Sequence, residues 1–140
     1  GLIRLMSGET SPTSQHPVDT QAAAARAREI VMQAEQSLGF EPVDREFERL
    51  GYDIESRDPK GGLRFIEVKG RAHIGEVALT TNEYKTAARL KKDYWLYVVF
   101  NCSATPDMHM IEDPSQLGWK PIVKIEHYHV SADEIIRMRH

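Results

Sequence analysis

From Gln21 to Leu38 an alanine-rich run repeats apolar residues at helical spacing, with Ala27, Ile30, Val31, Ala34 and Leu38 on one stripe and Gly39 as the stop. A first helix is expected there. The period then changes: Tyr52–Arg57 alternates, Asp58-Pro59-Lys60-Gly61-Gly62 is turn chemistry, and Leu63–Lys69 reads as a second strand, so the two form a hairpin. A third short strand is expected over Glu76–Thr80. It leads into Thr80-Thr81-Asn82-Glu83, whose Ser/Thr-x-x-Glu spacing is that of a capping box, opening a helix that runs to about Lys92. Tyr94–Phe100 is a continuous apolar and aromatic run, the pattern of a central strand covered on both faces. After it the pattern gives a strand at Met108–Ile111, a turn at Asp113-Pro114, another strand near Ile122–Val130, and a last helix capped by Ser131 with Glu134 three residues on. The order is α-β-β-β-α-β with further strands and a helix after it, and there is no internal repeat.

Residues 1–20 lack this periodicity and mix Ser, Thr, Pro, Gly and Gln, as a linker or frayed end does. They read as a flexible tail, either a tether to something longer or an expression remnant, ahead of one domain over residues 21–140. Composition agrees with a folded domain: 41% of the 140 residues are hydrophobic and 28% are charged, too apolar for an intrinsically disordered chain. The single cysteine, Cys102, forms no internal disulfide and cannot build a zinc site alone. A reducing, cytoplasmic setting is the expectation, and no stretch approaches the roughly 18 apolar residues of a membrane helix. The formal net charge of −3 does not favour a polyanion, so any nucleic-acid binding must come from a local patch.

The hairpin carries the chemistry. With its turn centred on Lys60, paired residue numbers sum to 120, which sets Arg57 against Leu63, Glu55 against Phe65 and Asp53 against Glu67. Directly opposed residues have Cβ atoms about 4.5–5.5 Å apart, close enough for two carboxylates to grip one hard cation. Lys69, two residues beyond Glu67, points to the same face. Two adjacent carboxylates repel and one lysine neutralises only one of them, so a magnesium ion would complete the balance. Such an ion polarises a phosphodiester, while the lysine orients water or stabilises transition-state charge. Glu35, at the edge of the helical stripe, could bring a third carboxylate to the sheet.

Gly51-Tyr52-Asp53 followed by Ile66-Glu67-Val68-Lys69-Gly70, within this element order, resembles the catalytic core of the PD-(D/E)xK nuclease superfamily. The resemblance implies a restriction-endonuclease-like α/β fold with a mixed central sheet flanked by helices. It also implies catalysis by Asp53, Glu67 and Lys69, and binding of magnesium (or manganese) by Asp53, Glu67 and the carbonyl of Val68. Tyr52 stands where the superfamily pattern has proline. The wider stretch from about Glu29 to Pro114, including Leu79-Thr80-Thr81-Asn82-Glu83, is similar to a domain-of-unknown-function family named after the C-terminal region of the plant protein NO VEIN. Its members often lie at the C-terminal end of bacterial helicases, including those of phage defence. The expected function is magnesium-dependent DNA hydrolysis, with DNA and a helicase or other domain of a larger protein as partners. A catalytically inactive docking or nucleic-acid-binding module of a helicase, and a hydrolase of small phosphoesters, are the alternatives.

Arg57, Lys60, Arg64 and Arg71 around the hairpin, with Lys85, Arg89, Lys91 and Lys92 along the second helix, offer a phosphate-contacting surface or simply a solvated face. Thr80, Asn82 and Glu83 are explained by capping. His127 and His129 share a strand face without a third soft ligand, and Trp95, Tyr97 and Tyr84 read as packing.

Overall fold

The computed structural model describes residues 20–138; the expected tail, up to residue 19, lies outside the described residues. In chain order the elements are α1 (Gln21–Ser37), β1 (Glu41–Asp44), β2 (Ile54–Arg57), β3 (Leu63–Gly70), α2 (Thr81–Leu90), β4 (Tyr94–Phe100), β5 (Asp107–Glu112) and α3 (Ala132–Arg137), with single 3-10 turns between some of them. The five strands make one mixed sheet in the order β1-β2-β3-β4-β5, all antiparallel except the β3–β4 pair. The parallel pair is joined through α2, as parallel strands require a long crossover.

α1 begins because the Thr20 hydroxyl caps it, accepting the Ala23 N–H at 3.1 Å. Its buried line is Ala23, Ala27, Val31 and Glu35, which turns the helix slightly from the expected stripe and leaves Leu38, its C-cap, 54% exposed. The line is made of small residues because α1 lies directly on β3. A Cβ on Gly70 would stand 2.5 Å from the Ala23 carbonyl oxygen and 2.7 Å from the Ala27 methyl. Gly70→Ala is therefore expected to push α1 off the sheet and destabilise the fold by about 1–3 kcal/mol, read by urea unfolding. An unchanged midpoint would mean that α1 rides more loosely than drawn. Ile54, Ile66, Val68, Tyr97 and Val99 complete this core.

The α-β-β-β-α-β order holds, but with a different first strand. The expected strand at Glu76–Thr80 is irregular, because both sides of β3 are taken by β2 and β4. The third strand is instead β1, which pairs with the outer side of β2. β4 is buried along most of its length, as expected of an inner strand, and Met108–Ile111 lies within β5. The expected strand near Ile122–Val130 has no sheet partner among the described residues and is irregular and exposed. α3 follows with Ser131 as its cap, accepting from the Glu134 N–H.

Candidate metal and phosphodiester site

The β2–β3 register is the one the turn predicts: Ile54 opposes Ile66, Glu55 opposes Phe65 and Arg57 opposes Leu63. Asp58 fixes the turn by accepting the N–H groups of Lys60 at 2.6 Å and Gly62 at 3.2 Å. Asp53 stands one residue before β2, where the regular pairing ends: the expected pairing with Glu67 is not made, and the Asp53 N–H donates at 2.8 Å to the carbonyl of Ile66, which is already the partner of Ile54. Its Oδ2 accepts the Val68 N–H at 2.9 Å, which ties the carboxylate to the strand carrying Glu67 and Lys69.

Side chains alternate along β3, so Arg64, Ile66, Val68 and Gly70 turn to the α1 side and Glu67 and Lys69 turn to the α2 side. There Lys69 Nζ lies 3.2 Å from Glu67 Oε2 and 3.0 Å from Glu83 Oε1. Glu83 is set at that distance by its own helix: its Oε1 accepts the Thr80 N–H at 2.9 Å while its N–H donates to the Thr80 hydroxyl at 3.1 Å, a complete capping box. One residue therefore both starts α2 and holds the lysine. From sequence, capping alone explains Glu83; its N3 position, which faces the end of β3, is the signal for the second role.

Two carboxylates thus flank one ammonium group, and the Asp53 carboxyl is tied to the same strand through the Val68 N–H. Burial pushes the Asp53 carboxyl up to about 6 from 3.8, against the Val68 N–H, which holds it down. Burial and the Asp53 charge push Glu67 well above the usual carboxylate range, and Lys69 only partly offsets them. Burial disfavours the charge on Lys69, but Glu67 and Glu83 outweigh it and hold the ammonium above its ordinary value. For Glu83 burial is likewise outweighed, by Lys69 and the Thr80 N–H, and its carboxyl lies below its ordinary value. Glu67 is 2% exposed, and its Oε1 is buried without a hydrogen-bond partner among the described residues. A buried carboxylate oxygen left in that state is costly unless a proton or a cation satisfies it.

Linkage gives these shifts a sign. The Asp53 carboxyl is raised on folding, so its contribution to stability is fully present below about pH 4 and is lost as pH rises through about 6. Asp53→Asn keeps an oxygen for the Val68 N–H and removes the titration. Without divalent metal, the wild type is expected to lose on the order of 1–2 kcal/mol relative to Asp53→Asn across that window. Urea unfolding at a series of pH values reads the difference, and a difference that stays flat with pH would refute the shift.

The donor set suits a hard divalent cation. Magnesium is commonly held by one or two carboxylates and keeps several waters, which Asp53 and Glu67 satisfy, with the unpartnered Glu67 Oε1 as an available donor. Among the described residues no group of three or more His, Cys, Asp or Glu side chains is placed to hold an ion by itself. Glu35 in particular is not brought to Asp53 and Glu67. It is fully buried on the α1 side of the sheet, where its Oε2 accepts the Tyr97 hydroxyl at 2.6 Å and faces Arg64 at 3.4 Å.

That contact also relocates Arg64. Its guanidinium is stacked between the rings of Phe40 at 4.3 Å and Trp95 at 4.5 Å and donates to the Tyr97 hydroxyl at 2.6 Å, so it serves packing and not a surface phosphate. Arg71 donates to the Glu76 carbonyl at 2.8 Å and braces the irregular 71–80 connection. Arg57, Lys60 and Lys85 are exposed. Val68 sends its side chain into the α1-side core, where Tyr97 is also buried. His127 and His129 are exposed on the irregular segment.

The fold is a small α/β domain with Asp53 just before one hairpin strand and Glu67 and Lys69 in the second half of its partner. The family model described as Protein NO VEIN, C-terminal matches residues 23–111, from the first turn of α1 into β5, and the chain belongs to this family. No curated protein and no solved structure matches the chain.

Proposed function

We propose that this domain is a divalent-metal-dependent nuclease of the PD-(D/E)xK type that hydrolyses DNA phosphodiesters. What supports the reading is the Glu67–Lys69 ion pair on the strand to which Asp53 is tied through the Val68 N–H, with a buried Glu67 oxygen that has no hydrogen-bond partner among the described residues. Asp53 and Glu67 are the residues that would hold the ion, joined by the Val68 carbonyl. When bound, magnesium or manganese supplies a Lewis acid to a phosphodiester oxygen. Lys69 places a fixed positive charge where negative charge develops, and Glu83 keeps that ammonium group protonated and aimed. Arg57, Lys60 and Lys85 remain available for backbone phosphates. The family's description, as the C-terminal part of a named protein, supports a larger setting for the domain; in this reading a helicase or another domain of that protein delivers the substrate.

One observation favours a second reading, a docking or nucleic-acid-binding module without catalysis. Lys69 is already neutralised by two carboxylates, and Arg64 is withdrawn into the core, which leaves few free cations near the cluster. The two readings part in one experiment: labelled single- and double-stranded DNA incubated with the wild type or Asp53→Ala, with magnesium, manganese or EDTA. Cleavage that needs the metal and is lost in a folded Asp53→Ala chain is the expected result. DNA retention without cleavage in either metal would assign the domain to docking.

A further inference from the structure

The two outer edges of the sheet are finished differently. β1 is four residues long and carries Pro42, which has no N–H to offer another strand, so that edge is blunted. β5 has no such device. The Asp113 N–H donates to the Tyr94 carbonyl at 3.0 Å, and by antiparallel alternation the N–H groups of Met108, Met110 and Glu112 point away from β4, out of the sheet. Beside this open edge, on its α2 side, lies an apolar groove of about 580 Å³ lined by residues including Leu96, Val98, Phe100, Leu117 and Trp119.

The same chain carries a segment suited to that edge. Residues 120–138 are exposed throughout, although they include Val123 at 79%, Ile125 at 70%, Tyr128 at 91%, and Ile135 and Ile136 at 59% each. The apolar run Ile122–Val130 has a strand's composition and no strand partner among the described residues, and α3, at six residues, is too short to be stable without packing. The family match ends at Ile111, ahead of this arm. Its start is pinned: Trp119 Nε1 donates to the Pro114 carbonyl at 2.8 Å, and the Gln116 and Leu117 N–H groups close the turn after Asp113. Charge also fits, since residues 120–130 carry Lys120 and Lys124 against Glu126 alone, whereas β5 carries Asp107 and Glu112 and no lysine or arginine.

We propose that residues 121–130 of one copy add as a strand to the outer edge of β5 in a second copy, with α3 seated over the groove. A molecule that carries both an open edge and an unpaired strand is complementary to itself, and making the exchange in both directions gives a closed two-fold dimer.

The test is the mass of the full chain by light scattering after gel filtration, across a dilution series. Wild type is expected to run at twice the chain mass and to dissociate on dilution. Met110→Pro removes an outward N–H of the edge without touching the β4 ladder, and the double variant Val123→Pro/Ile125→Pro spoils the arm. Each alone is expected to be monomeric, and the two mixed together should form a heterodimer through one intact edge and one intact arm. A wild type at single-chain mass at every concentration overturns the proposal and leaves the arm to another protein or domain. Dimers that survive in both variants, or variants that fail to pair on mixing, overturn it too. If Met110→Pro does not fold, the arm variant decides alone, because its substitutions lie in an exposed segment without regular structure.

Discussion

The Lys69→Ala chain is expected to lose at least about 100-fold in the rate of metal-dependent cleavage while binding manganese at least as well as the wild type. The two halves of this result come from one distance. Lys69 Nζ is 3.2 Å from the Glu67 carboxylate, so in the metal-free protein the lysine is a competing cation at a would-be ligand. Removing it would free Glu67 for the ion and delete the fixed charge that the proposed reaction uses. Single-turnover cleavage beside a manganese titration followed by thermal shift separates the effects. If metal binding fell with cleavage, Lys69 would be a structural tie for Glu67 and not a participant. Glu67→Gln is the counterpart and should lose both properties, since it removes the buried carboxylate itself.

The second large effect lies on the opposite face of the sheet and concerns stability. Arg64→Ala leaves Glu35 fully buried with only the Tyr97 hydroxyl as a partner, its Oε1 being already unsatisfied, and strips the stacked cation from Phe40 and Trp95. Breaking a buried ion pair from one side costs about 3–5 kcal/mol. The melting temperature of the wild type should therefore fall by roughly 10 °C. Adding Glu35→Gln should recover part of the loss, because the stranded charge is then gone, and the double-mutant cycle gives the coupling. A single variant that melts within a degree or two of wild type would mean that Glu35 finds water or a proton when Arg64 leaves.

Much of the site was legible because it depends on short-range rules. The turn residues Asp58–Gly62 fix the pairing of β2 with β3, and the pairing fixes which residues face Glu67. The capping box at Thr80 was equally legible, since it is decided within four residues. What failed depended on partners far along the chain. Glu76–Thr80 and Ile122–Val130 have strand-like composition, but a strand exists only where a neighbour has a free edge. β1 was missed for the opposite reason: Glu41-Pro42-Val43-Asp44 has no alternation to read, yet the outer side of β2 accepts it. Arg64 looked like a surface cation in a basic cluster. It alternates with Phe65 along β3 and so faces α1, where Glu35 was waiting on a helix whose buried line had been placed slightly off.

β3 serves both faces at once. Arg64 belongs to the buried pair under α1, Glu67 and Lys69 to the cluster under α2, and Gly70 to the close approach of α1. A single residue inserted or deleted within Leu63–Gly70 would exchange these assignments together, sending the arginine to the acidic cluster and Glu67 and Lys69 into the apolar core. Length variation among relatives should therefore gather in the Asp58–Gly62 turn and the 71–80 connection, while the eight residues between them stay fixed in number.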